Sequence, residues 1–89
     1  MKTIDIEIIN KLGLHARAAS KLASTAVKFD SKIEVTFVDK TIDAKSIMSL
    51  MLLAAAKGSR ITITTEGNDE TQAMDAISTL INNRFDEEE

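Results

Sequence analysis

The chain has 89 residues, 44% hydrophobic and 28% charged, with a net charge of −3, which is enough for one domain with a modest core and too little for two. It has no Cys, which excludes a disulfide framework and thiolate metal sites, and it has no Trp or Tyr, which together with the acidic balance argues against a nucleic-acid surface. The most apolar stretch, 47–56, is shorter than the roughly 20 residues that span a bilayer, and residues 1–9 lack the apolar run of a secretory leader, so a cytoplasmic protein without membrane insertion is expected.

Ile4, Ile6 and Ile8 alternate with Thr3, Asp5 and Glu7, which predicts a half-buried strand over 3–9. The pattern breaks at Lys11-Leu12-Gly13-Leu14 and becomes helical from Ala16, with Ala19, Leu22, Ala23, Ala26 and Val27 on one stripe. Ile33, Val35 and Phe37 mark a second strand, Asp39-Lys40 a turn, and 41–44 a short third strand. Ser46 reads as the N-cap of a helix that runs from Ile47 to a cationic last turn at Lys57 and a terminating Gly58. Arg60 to Glu66 alternates again, Gly67-Asn68 turns the chain, and Glu70 to Asn83 stripes Ala73, Met74, Ile77, Leu80 and Ile81. Asp86 to Glu89 is expected to be a frayed acidic tail on a single domain spanning 1–89.

The order β-α-β-β-α-β-α, with one polar face on every strand, predicts an α+β open-faced sandwich. It would be a four-stranded antiparallel sheet covered on one face by three helices, since a parallel sheet must be covered on both. Charge is uneven: between Asn10 and Lys32 five cations face Asp30 alone, whereas 66–89 carries eight carboxylates against Arg84. Such a basic N-terminal region, Lys21 included, can steer an acidic partner.

His15 is the one histidine and lies between the Gly13 loop and a helix start. Helix N-termini carry unpaired N–H groups and partial positive charge, so they bind anions and disfavour imidazolium. A neutral imidazole there can attack phosphorus and form a covalent adduct. The backbone N–H groups of Ala16 and Arg17 and the Arg17 guanidinium would hold the resulting dianion. A lone His near a helix start is more often a capping or surface residue; Gly13, the helix start and Arg17 bring the chemical reading level with that one. One His without Cys builds no zinc site, there is no Gly-rich phosphate loop, and no cofactor is implied. With a nucleophile but no general base or substrate pocket of its own, the chain is not expected to turn over a substrate as an independent enzyme.

The second helix is apolar on nearly all sides. Ile47, Met48, Met51 and Leu52 exceed what one sheet can cover, which predicts a partner-docking patch. Ser46 reads as a cap, worth about 1 kcal/mol, or as a phosphorylation site that would place a dianion beside the patch.

Lys11-Leu12-Gly13-Leu14-His15-Ala16-Arg17 resembles the active-site motif of the HPr family, the histidine-containing phosphocarriers of the bacterial phosphoenolpyruvate-dependent phosphotransferase system. Asp43-Ala44-Lys45-Ser46-Ile47-Met48 resembles that family's second signature, around a regulatory serine, and the similarity extends over essentially the whole chain. The resemblance implies the HPr fold and phosphorylation of His15 on Nδ1 by phosphorylated enzyme I, with Arg17 stabilising the product. It also implies onward transfer to enzyme IIA domains and docking through the helix from Ile47 to Leu53. A kinase/phosphorylase acting on Ser46 would be a further partner, and a monomer meeting partners transiently fits best. Ala18 stands where the family usually has Pro, which implies a slightly looser site. The acidic tail and Leu12-Gly13-Leu14-His15 also resemble the nitrogen-related branch, so the alternative is a regulatory binding module of the nitrogen-related or catabolite-control branch that signals by docking and phosphorylation state.

Overall fold

Alternation of Ile with polar residues produces β1 (Lys2–Glu7), and the computed structural model, which describes residues 1–88, continues in chain order. The elements are α1 (Ala16–Ala26), β2 (Lys32–Phe37), β3 (Lys40–Asp43), α2 (Ile47–Leu53), β4 (Arg60–Glu66), α3 (Glu70–Asn82) and a short turn, Arg84–Asp86. The four strands form one antiparallel sheet in the order β1-β4-β2-β3, and the three helices cover one face of it, as the strand pattern predicts.

Register explains which face is covered. Ile4 pairs with Ile63, Ile63 with Val35, and Val35 with Ile42, so one cross-strand row is apolar; Ile6 pairs with Ile61 in the next. The row between them, Asp5-Thr62-Thr36-Thr41, points the other way. There the Thr62 hydroxyl donates to Asp5 at 2.7 Å, and the Thr36 and Thr41 hydroxyls bond at 2.8 Å. A slip of one residue would exchange the two faces. Leu22, Ala19 and Ala26 from α1, Leu50 from α2, and Ala73, Ile77 and Ile81 from α3 close the core over the apolar rows.

The second helix departs from its expected length. It stops at Leu53 because Ala54 turns left-handed (φ 54°), and the chain does not stay helical to Gly58. The backbone beyond Ala54 is claimed from elsewhere: Ala55 O accepts from Leu14 N at 2.8 Å. Gly58 N donates to Ile8 O at 2.7 Å, and Ile8 N to Ser59 O at 2.8 Å. These long-range bonds override the helical preference of Ala54-Ala55-Ala56.

The other departure is at the C-terminus, where a frayed tail is expected from 86 to 89. Residues 87 and 88 follow a left-handed turn in which Arg84, Phe85 and Asp86 all have φ between 53° and 64°. For non-glycine residues that conformation costs about 1–2 kcal/mol each. Phe85 offsets part of it by complete burial in the core, worth about 1.5–3 kcal/mol. Two hydrogen bonds support the turn, from Lys21 Nζ to Phe85 O at 2.8 Å and from Asn83 Nδ2 to Asp86 Oδ1 at 2.7 Å. Glu89 lies outside the described residues.

Phe85→Ala should therefore destabilise the protein by about 3–5 kcal/mol, read as a lower midpoint in urea unfolding, and should release the residues beyond it.

Asp69, ahead of α3, holds the loop between α1 and β2. Its carboxylate accepts from the N–H groups of Asp30 and Ser31, each at 2.9 Å, and from the Ser31 hydroxyl. The Ser31 hydroxyl and then the Asp30 N–H hold its pKa below the ordinary carboxylate value, against a smaller opposing effect of burial. A depressed folded-state pKa gives stability that is present above the unfolded value and lost as pH falls through the folded one. Asp69→Asn should be less stable than wild type at pH 7. The difference in thermal midpoint should shrink as pH is lowered below about 4.

Candidate functional site

Asn10 and Gly13 bracket a turn closed by Gly13 N donating to Asn10 O at 3.1 Å, with Asn at the first and Gly at the last position of a four-residue turn. Gly13 has φ +68°, and a Cβ on it would sit 2.6 Å from Ala55 O and 2.8 Å from Ala56 Cα. Only glycine lets the loop press this closely on the chain after α2. The loop delivers His15 to the N-cap of α1 in extended conformation (φ −79°, ψ −177°), with Ala19 N donating to His15 O as the first helical bond.

The imidazole is bonded at both nitrogens. Nδ1 accepts from Arg17 N at 3.3 Å, and Nε2 donates to Glu87 Oε2 at 2.5 Å. This pattern places the proton on Nε2 and leaves the Nδ1 lone pair directed at the open end of α1. The His15 side chain is 27% exposed and that of Glu87 only 12%. Burial pushes the Glu87 carboxyl upward. Hydrogen bonds from Asn10 and His15, with the positive charge of Arg17, outweigh it and hold the pKa below the ordinary value. Ala16 and Arg17 are exposed on the first turn, so their backbone and the guanidinium are open to an incoming anion. Ala18 is fully buried.

Lys21, expected at a docking surface, is engaged otherwise. Its ammonium bonds Phe85 O and lies 3.8 Å from the Asp86 carboxylate, because the acidic C-terminal segment folds back over α1. Ser46 sits at the N-cap of α2, its hydroxyl accepting from Ser49 N at 3.2 Å. Because α2 buries only Leu50 and Leu53, it leaves Ile47, Met48, Met51 and Leu52 exposed, between 42% and 73%. Leu12, in the His15 loop, is 66% exposed and adds to the apolar surface.

Asn10, Phe85 and Glu87 escape a reading of the sequence. Glu87 lies 72 residues from His15 within a run of acids, and only Phe85, the lone apolar residue between Asn82 and Glu89, signals that the run is anchored. Asn10 Nδ2 donates to Gly13 O at 2.8 Å and to Glu87 Oε1 at 3.0 Å, joining the loop to the C-terminal segment. Among the described residues there is no cluster that would hold a metal ion and no helix long and apolar enough to cross a membrane.

A histidine at a helix N-terminus, on an open-faced antiparallel sandwich, is an arrangement suited to meeting an anion. The family model described as the phosphorylation site of the phosphotransferase HPr component matches residues 2–83. The phosphocarrier protein HPr of Neisseria meningitidis serogroup B is 56% identical over 84 residues, 94% of each chain. That of Pseudomonas aeruginosa is 48% identical over 90 aligned positions, covering all of both. The crystal structure of HPr-C-His from Thermoanaerobacter tengcongensis superposes with a TM-score of 0.96, at 45% identity over the whole of both chains. The chain belongs to the HPr family, the phosphocarriers of the phosphotransferase system.

Gly13→Ala should cost about 2 kcal/mol or more, from φ strain and the clash with Ala55, and should shift the His15 ring resonances. At Gly58 (φ +91°) an added Cβ meets nothing within 4 Å, so Gly58→Ala should cost less in the same urea titration and leave His15 unmoved.

Proposed function

We propose that His15 accepts a phosphoryl group on Nδ1 from phosphorylated enzyme I, charged by phosphoenolpyruvate, and donates it to enzyme IIA domains. The observation that carries this reading is the bonding of the ring: Nε2 holds the proton against Glu87, and Nδ1 keeps its lone pair at the helix start. In the transfer, the Nδ1–phosphorus bond forms as the bond from phosphorus to the donor breaks, and the electron pair leaves with the donor. The Arg17 N–H, now weakly bonded to Nδ1, turns to a phosphoryl oxygen, and the guanidinium adds charge. Onward transfer reverses the step on an acceptor nucleophile. The protein is a covalent intermediate without turnover of its own and acts as a cytoplasmic monomer.

The apolar surface of Leu12, Ile47, Met48, Met51 and Leu52 supports docking next to this group. It is continuous in structure with the site, since the loop carrying His15 is bonded to the segment that ends α2 through Leu14 N and Ala55 O. Exposed Met side chains suit a surface that meets more than one partner.

Intact-mass spectrometry after incubation with phosphoenolpyruvate and active enzyme I should show one added phosphoryl group. The adduct should be lost in mild acid and absent from His15→Ala, while that variant still binds enzyme I by calorimetry. A wild-type chain that gains no mass overturns the reading.

A further inference from the structure

We propose that Glu87 is a positioning residue for phosphoryl transfer: its carboxylate fixes the His15 proton on Nε2, aims Nδ1 at the incoming phosphorus and counters the charge the ring acquires. The inference rests on the carrier reading above and adds to it a group from the opposite end of the chain.

The geometry that carries it is a set of four anchors, three on the segment that leads to Glu87 and one on its carboxylate. Phe85 is fully buried, Lys21 Nζ holds Phe85 O at 2.8 Å, and Asn83 Nδ2 holds Asp86 at 2.7 Å. Asn10 Nδ2 then bonds Glu87 Oε1 at 3.0 Å, leaving Oε2 for His15 Nε2 at 2.5 Å. Asn10 is itself fully buried, and its Oδ1 has no hydrogen-bond partner among the described residues. Its amide is committed to donating: turned over, it would face Oδ1 toward two acceptors, Gly13 O and the Glu87 carboxylate. The backbone from Arg84 to Asp86 is left-handed throughout, and sparsely populated conformations of this kind persist where the surroundings over-determine them. Here the outcome of that conformation is that Glu87 reaches the imidazole.

The chemistry gives the contact a role beyond holding down the C-terminus. Before transfer Nε2 faces the Glu87 carboxylate with its proton and Nδ1 faces the Arg17 N–H with its lone pair. As Nδ1 bonds phosphorus and the donor leaves with its electron pair, the proton stays on Nε2, and the phosphorylated ring becomes a cation next to Glu87. When the group moves on, the Nδ1–phosphorus pair returns to Nδ1 and the starting ring is restored. A fixed carboxylate against the far nitrogen favours one tautomer and stabilises the cationic stage, the part a buried Asp plays for a catalytic His in hydrolases.

Three variants test this against a merely structural clip. Glu87→Gln can still accept from Nε2 through its one carbonyl oxygen, so it keeps the ring contact, removes the charge and gives up the bond from Asn10; Glu87→Asp preserves the charge; Glu87→Ala removes the contact and the charge. In wild type, nitrogen-15 NMR of the His15 ring should show the Nε2–H tautomer alone, and Glu87→Ala should show a mixture. With enzyme I as donor, Glu87→Gln should lower the saturating rate of His15 phosphorylation about tenfold. The half-saturating enzyme I concentration should stay unchanged, and Glu87→Asp should recover most of the rate. A Glu87→Gln chain that matches wild type in saturating rate, with a Glu87→Ala ring still in one tautomer, overturns the proposal. A wild-type chain that accepts no phosphoryl group overturns the carrier reading instead, and the tautomer measurement still reports on Glu87.

Discussion

The loop that carries His15 rests directly on the backbone of Ala55 and Ala56, and most of the site follows from that contact. Leu14 N donates to Ala55 O, and Gly13 lies so close that a Cβ would meet the same oxygen at 2.6 Å. The contact ends α2 early, because Ala55 O is taken by Leu14, 41 positions away, instead of by the next helical turn. An early end leaves α2 with seven residues and two buried side chains, and the apolar remainder is exposed beside the loop. One packing decision thus sets both where the imidazole sits and why the surface next to it is apolar.

The second constraint comes from the other end of the chain. Phe85 is buried on the helical side, and the segment after it crosses α1 to reach the imidazole. His15 is thereby held between a helix N-terminus at Nδ1 and a carboxylate at Nε2. The two influences act in the same sense on the ring: helix N–H groups favour the lone pair on Nδ1, and Glu87 favours the proton on Nε2. Together they hold the imidazole polarised along the axis on which a group would be accepted.

Much of this was legible in the sequence. The isoleucine alternation in β1 and β4, the stripe in α1 and the Ser46 cap are local signals, and the sheet and helices follow them closely. The motif around His15 is local too, and Gly13 announces the tight loop. What local pattern could not show was long-range competition for backbone. Ala54-Ala55-Ala56-Lys57-Gly58 reads as the end of a helix, yet Leu14 and Ile8 take its hydrogen-bonding groups. Lys21 reads as free surface charge because its partner, Phe85 O, is 64 residues distant. The acidic run after Arg84 reads as solvent-exposed because charge dominates it, while one aromatic side chain decides where it goes.

The 72-residue separation between His15 and Glu87 also orders events during synthesis. The loop, α1 and the motif histidine emerge early, whereas a domain generally folds as a unit. Phe85 is the last of the buried apolar residues to appear, and Glu87 follows it by two positions. A nascent chain therefore displays its histidine well before the carboxylate that steadies it exists. Completion of the core and completion of the ring's environment coincide, so the finished fold and the equipped imidazole arrive together.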